Sequence, residues 1–218
     1  MRVITLMNQK GGVGKTTLTL SLAARWHLAG FSVAVIDCDP QGSSVYWKKQ
    51  QVENSPLKGI KVYAVNLPSE IRACRNLEAD YILLDTPGTD KPTVRAAIHV
   101  SDALIIPVQP SAIDIDASYA SLEAGLDADK PIAYILNRYV QQSVLGEDTK
   151  KALKTTPATV IGKVMNQYQD FPRSIGAGET PTTMFPGQKA AQNIEAIGQA
   201  IDEWLIQCDQ QKEVRITA

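Results

Sequence analysis

The sequence predicts an α/β fold: a mainly parallel sheet covered by helices on both faces. Three observations predict it. Short apolar β-type runs alternate with segments long enough for a helix, a glycine-rich loop joins the first run to the first helical segment, and two later runs end in acidic turns. Parallel strands need long crossover connections, usually helices, and a sheet buried on both faces reads as near-continuous apolar strands. Ligands then bind at the carboxyl ends of the strands.

Taken in order, residues 3–6 form the first strand, and residues 16–29 form a helix that stops at Gly30, suited to the left-handed position after a helix end. Further strands are predicted at 32–36, 60–65, 81–84, 103–108, 132–136 and 160–164. The segment 171–187, rich in Gly and Pro, reads as a long ordered loop or a broken helix, and such loops often carry function. A last helix starts near Gln188 and places Ala191, Ile194, Ile197, Ile201 and Leu205 on one apolar stripe, which packs on the sheet. No repeat, low-complexity tract or linker divides residues 1–218, so one domain is expected, long enough to bury about 70% of its unfolded surface.

Composition narrows the function classes. Cys38, Cys74 and Cys208 are odd in number and lack C-x-x-C spacing, which fits a reducing cytoplasm and buried or incidental thiols. Neither a signal-peptide core nor an apolar run of about 18 residues occurs, so a soluble cytoplasmic protein is expected. A net charge of −1 excludes a globally basic nucleic-acid binder but not a local patch. Residues 138–189 carry seven basic residues against four acids, a surplus of three positive charges. His27 and His99 are isolated and no G-x-S-x-G elbow occurs, so acyl-transfer, glycosyl and hydride chemistry find no support.

The loop itself is the strongest signal. Asn8 to Thr17 reads NQKGGVGKTT, in which Gly11, Gly12 and Gly14 permit positive φ and turn successive N–H groups toward an anion at a helix N-terminus. Lys15 reaches the β and γ phosphates and Thr16 offers a hydroxyl to Mg²⁺. Gln9 stands where the general G-x-x-x-x-G-K-[ST] pattern has its first glycine, and a second lysine, Lys10, precedes the glycines. After the second strand comes Asp37-Cys38-Asp39-Pro40-Gln41-Gly42-Ser43, whose two carboxylates point different ways from a tight turn. Such a pair could serve Mg²⁺ and a γ phosphate, or be turn chemistry alone. Tyr81-Ile82-Leu83-Leu84-Asp85-Thr86-Pro87-Gly88 is an apolar strand ending in an acid able to hold Mg²⁺ through water. Asn137, after another strand, has the donor and acceptor to read an adenine edge, or is an ordinary turn former.

Lys10 to Thr16 resembles the deviant Walker A motif of the ParA/MinD family of ATPases, and the two acidic turns resemble that family's first switch and Walker B strand. The chain is similar to the family from Arg2 to about Leu205. The resemblance implies a P-loop NTPase that binds ATP and Mg²⁺ through Gly11, Gly12, Val13, Gly14, Lys15, Thr16, Thr17, Asn137 and Arg138. It further implies metal contacts from Thr16, Asp37 and Asp85, a γ-phosphate sensor at Gly88, and catalytic roles for Lys10, Lys15 and Asp39. Asp39 orients the attacking water, and Lys10 reaches the nucleotide of a second subunit. Residues 105–111 resemble the segment that leads into the family's dimer-interface helix.

Among family branches, the tail does not suit a membrane helix: residues 200–218 carry four acids and two bases. No cysteine lies between Cys74 and Cys208 to hold a cluster, and neither a tyrosine-rich tail nor a histidine-rich tract occurs. What remains is similar to short ParF-like partition ATPases. That implies an ATP-dependent homodimer, sequence-independent DNA binding at the nucleoid, and a ParB-type or cargo-adaptor partner that stimulates hydrolysis. Lys163, Arg173 and Lys189 are the candidate DNA contacts. A MinD-like membrane-surface regulator and an ATP-dependent synthetase are the alternatives.

Overall fold

The computed structural model describes residues 1–89 and 91–217, with side chains described as far as residue 214. Asp90, Ala218 and the Arg215 side chain counted in the tail's charge lie outside the described residues. Seven strands form one sheet in the order β3-β2-β4-β1-β5-β6-β7, and every pairing is parallel. They are β1 (Arg2–Leu6), β2 (Val33–Asp37), β3 (Lys61–Ala64), β4 (Tyr81–Asp85), β5 (Ala103–Val108), β6 (Ile132–Leu136) and β7 (Thr159–Val160). The predicted fold class is the observed one.

The crossovers are α1 (Lys15–Leu28), α2 (Ser43–Gln50), α3 (Pro68–Ala73), α4 (Pro92–Val100), α5 (Ala112–Asp127) and α6 (Val144–Leu153). After β7 come α7 (Asp170–Gly176), α8 (Pro181–Met184) and α9 (Lys189–Thr217). Side-chain alternation along the strands divides the core. Ile4, Leu6, Val33, Val35, Leu83, Ile105 and Ile135 meet α1 and α9 on one face, while Leu104, Ile106, Tyr134 and Leu136 meet α4 and α5 on the other. Toward the β2 edge that second face is completed by Ala34, Ile36, Ile82 and Leu84 packed against α3 and α4. The stripe predicted on the last helix is buried as expected, with Ile194, Ile197 and Ile201 fully enclosed.

One strand differs from expectation, and of the two readings of residues 171–187 the second is the observed one. The strand expected at 160–164 is the two-residue β7, Thr159–Val160, because the chain bends at Gly162 and Lys163. Pairing resumes beyond the bend, where Met165 N–H donates to Leu136 O at 2.8 Å. The segment 171–187 is a broken helix, the short α7 and α8, and Trp47 Nε1 donates to Glu179 O at 2.9 Å between them. Gly30 ends α1 at φ 94, the conformation assigned to it from the sequence.

Register sets the site. β2 and β4 align so that Asp37 lies opposite Asp85, and β1 and β4 align Leu6 with Asp85. All three strands therefore finish level, and the loop leaving β1 begins beside Asp85, with Asp37 one strand further on. Ile197→Ala empties a fully buried position between α9 and the sheet, so urea denaturation is expected to show a loss of about 2–5 kcal/mol with fold retained.

Candidate functional site

The glycine-rich loop is held by side chains from three neighbouring strand ends. Asn8 Nδ2 donates to Pro107 O at 2.9 Å, and its Oδ1 accepts the Lys10 N–H at 2.9 Å. Gln109 Nε2 donates to Gly12 O at 2.7 Å and Asn137 Nδ2 to Val13 O at 2.6 Å. These bonds fix two loop carbonyls from below, an arrangement that leaves the opposite side of the loop to an anion. Gly12 and Gly14 have φ of 76° and 95°, and a Cβ on Gly14 would lie 2.0 Å from Asn137 Nδ2. Glycine is required there twice over, for the dihedral and for the contact.

Lys15 opens α1 but its amine turns back under the loop, donating to Asn8 O and Lys10 O at 3.1 Å each. Only 6% of the residue is exposed, and burial pushes its pKa down against the attraction of Asp85 and Asp39. Asp85 is more deeply enclosed: its Oδ2 accepts Ser44 Oγ at 2.9 Å and its Oδ1 has no hydrogen-bond partner. Burial drives its pKa up to about 7, helped by repulsion from Asp37 and opposed by the Thr16 and Ser44 hydroxyls and by Lys15. A buried carboxylate oxygen without a donor, beside a lysine amine, suits a hydrated cation and a phosphate. Among the described residues no group of three or more His, Cys, Asp and Glu could hold a metal unaided.

Asp37 and Asp39 do point different ways. Asp37 is buried and braces the turn, its Oδ1 accepting Asp39 N–H at 3.2 Å and its Oδ2 the Val45 N–H at 3.0 Å. Burial raises its pKa despite these bonds. Asp39 is half-buried, and its Oδ1 accepts the Gln41 N–H at 3.0 Å. On the other side, Thr86 Oγ1 donates to Leu6 O at 2.9 Å, and a Cβ on Gly88 would meet Gly11 N at 2.8 Å. The turn after β4 thus lies directly on the loop, with Gly88 against its backbone.

Asn137 is placed differently from a free base-reading side chain. Both of its polar groups are engaged within the chain, since its Oδ1 accepts the Arg138 N–H at 2.7 Å while its Nδ2 holds Val13 O. It stands here as a brace. A cleft of about 190 Å³ opens beside it, lined by Gly14, Thr17, Arg138 and the stretch Met165 to Gln169. Arg138 is exposed at φ 50, in the left-handed region. Lys163, Arg173 and Lys189 are all exposed, and the Arg173 guanidinium lies 5.0 Å from the centre of the Phe185 ring.

Three contributors escape a reading of the sequence. Ser44 grips Asp85, Gln109 holds Gly12 O, and Asp114 pairs with Lys10. Ser111 and Asp114 carry a local signal, a serine N-cap with an acid three residues on. Nothing local ties Ser44 or Gln109 to the loop.

Together these features define a nucleotide-binding site on a parallel α/β sheet. Residues 4–181 match the CbiA family, described as the CobQ/CobB/MinD/ParA nucleotide binding domain, and the chain belongs to that family of ATPases. It is 26% identical over 217 residues to the chromosome-partitioning ATPase Soj of Thermus thermophilus, covering 84% of this chain and 85% of that one. It is 31% identical over 116 residues to the maintenance of carboxysome distribution protein A of Gloeobacter kilaueensis, a match spanning about half, 52%, of each chain. The fold is similar to the septum site-determining protein MinD from Pyrococcus horikoshii, solved with Mg-ADP, at a TM-score of 0.78 and 19% identity over 93% of this chain and 96% of that one.

Asp85 yields a pH prediction. Its folded pKa lies above its unfolded value of 3.8, so the folded chain holds the extra proton and stability falls as pH rises from about 4 to about 7. Without nucleotide, Asp85→Asn should be the more stable chain at pH 8, by at most on the order of 4 kcal/mol, and its melting temperature should depend less on pH. Gly88→Ala should keep the fold and weaken nucleotide binding at least about tenfold, read by titration with a fluorescent ATP analogue, because the added methyl pushes on Gly11.

Proposed function

We propose that residues 1–218 act as one ParA-type ATPase domain that pairs on ATP, binds DNA without reading sequence and positions a cargo. One observation carries the reading. Two lysines enter one glycine-rich loop, Lys15 buried beneath it in the field of Asp85 and Asp39, and Lys10 at its rim on Asp114. One amine serves the phosphates of its own subunit. The other is surplus to that task, and a second subunit gives it one.

The reaction is the attack of water on the γ phosphorus of ATP, giving ADP and phosphate. The loop N–H groups and Lys15 bind the phosphates, with the Thr16 hydroxyl, Asp37 and Asp85 on the metal side. Mg²⁺, when bound, neutralises charge on the β and γ oxygens. Asp39 orients the attacking water, and its partial exposure at the rim of the site supports that role. Gly88, packed on Gly11, transmits the state of the γ phosphate to the turn after β4. Arg138 and the cleft beside Asn137 accept the nucleoside end.

For the DNA contacts, Lys163, Arg173 and Lys189 are exposed, and pairing doubles the positive field of residues 138–189. The kinship to a chromosome-partitioning ATPase supports a nucleoid location and a ParB-type or other adaptor that stimulates hydrolysis. Among the described residues no helix is long and apolar enough to cross a membrane.

Gel filtration with ATP is expected to give dimer for Asp39→Ala and monomer for Lys10→Ala; dimer for both removes the role of Lys10 between subunits. Neutralising Lys163, Arg173 and Lys189 together should weaken DNA binding while leaving pairing intact. If each makes one phosphate contact in each subunit, the slope of log affinity against log salt is about −5 before the change and near zero after it. Vesicle flotation in ATP without DNA binding would replace this reading with a membrane-surface regulator.

A further inference from the structure

The sheet ends at β3 on one side, and that edge is open. Val65 N–H donates to Asp37 O at 2.9 Å, and direction alternates along a strand, so Lys61 and Tyr63 also turn their backbone groups toward β2. Val62 and Ala64 turn theirs outward, where no described residue bonds to them. The edge is held in shape from before the strand: Ile60 N–H donates to Leu57 O at 3.0 Å, and Gly59 lies so close to the His27 ring that a Cβ would come within 2.6 Å of Cε1. Beside it lies a cleft of about 320 Å³ whose walls include Lys61, Tyr63, Phe31, Leu77 and Glu78. Tyr63 is 37% exposed and Phe31 42%, the latter packed edge-on against Tyr81. Residues 48–64 carry Lys48, Lys49, Lys58 and Lys61 against one acid, Glu53, a surplus of three positive charges on a chain of net charge −1. Glu78 on the cleft wall reduces the local surplus to two. Lys48 Nζ donates only to neutral groups, Gln51 Oε1 at 2.9 Å and Lys58 O at 2.7 Å, and among the described residues none of the four lysines forms an ion pair.

We propose that β3 receives an extended acidic segment of a partner protein as an added strand, paired to the outward backbone groups of Val62 and Ala64, with an apolar side chain of that segment in the cleft beside Tyr63. Strand addition draws affinity from main-chain hydrogen bonds and specificity from pockets for alternate side chains. Both lie on this one edge. Lysines on an edge strand ordinarily ward off other edges. Here they select by sign: a second copy of the chain brings its own lysines toward these, whereas a run of carboxylates is attracted to them. Nucleic acid also attracts lysines, but its phosphates only accept, and they leave the outward carbonyls of Val62 and Ala64 without donors. The edge is already formed, so docking orders only the incoming segment. Its far end is Val65, held on Asp37 O, which places the occupant one strand from the first acidic turn.

The test uses the full isotope-labelled chain and a capped heptapeptide in which threonine alternates with glutamate, phenylalanine and glutamate. At saturation the Val62 and Ala64 amides should exchange with solvent at least about tenfold more slowly, read by nuclear magnetic resonance. Two further peptides are methylated on the amide nitrogens of one alternate set or the other. Only one set faces β3 in a paired strand, so one peptide should lose binding and the other keep it; equal behaviour of the two overturns the proposal. Lys61→Glu, a change at an exposed position, should weaken the peptide about tenfold and favour its counterpart with lysine in place of glutamate. Parent chain that binds the lysine peptide as well as the glutamate peptide overturns the charge argument, and absence of binding by the glutamate peptide overturns the whole. A short DNA duplex that shifts the resonances of residues 61–64, where the peptide does not, assigns the lysines to nucleic acid and overturns it equally.

Discussion

The structure is organised around charge that is buried at the carboxyl edge of the sheet and left incompletely paired. Lys15 is held beneath the glycine-rich loop by two backbone carbonyls, and Asp85 keeps one oxygen without a donor. Neither arrangement is the most stable available to a protein interior, where unpaired polar groups are costly. A polyphosphate and a hydrated cation are the kind of charge that would offset both. The rise of Asp85 and the fall of Lys15 in proton affinity have this same origin, desolvation that the chain alone does not offset.

Holding that charge in place is the task of the surrounding fold. Parallel register brings Asp37 and Asp85 level with the end of β1, and helices on both faces keep the strand ends dry. Asn8, Gln109 and Asn137 then fasten the loop from beneath, each through a side-chain amide. An amide suits this role because it donates without adding charge to a site already rich in it. Ser44 joins the turn after β2 to Asp85, and Gly88 joins the turn after β4 to the loop. The loop and both acidic turns are therefore joined through direct contacts. The Lys10 to Asp114 pair extends that connected set to α5, the helix that continues the segment resembling the family's dimer-interface region.

Much of this is legible in the order of residues along the chain. Alternating apolar runs mark six of the seven strands to within about two residues, because a strand buried on both faces is apolar throughout. The stripe of Ile194, Ile197 and Ile201 marks the last helix and its buried side. The run at 160–164 is legible as apolar but not as interrupted, since the bend at Gly162 and Lys163 leaves the apolar residues on either side in place. Asn137 is legible as a polar residue at a strand end. Its partner is not, because Val13 lies 124 residues away in sequence.

The sequence by itself determined the chemistry of the loop and of the two acidic turns, since glycines, lysines and strand-end carboxylates act through short-range geometry that a few adjacent residues specify. The tertiary structure decided which distant side chains complete that chemistry: Ser44 on Asp85, Gln109 on Gly12, Asp114 on Lys10. Strand order and register bring these groups together, and both are set by packing of the whole sheet, not by any local pattern of residues.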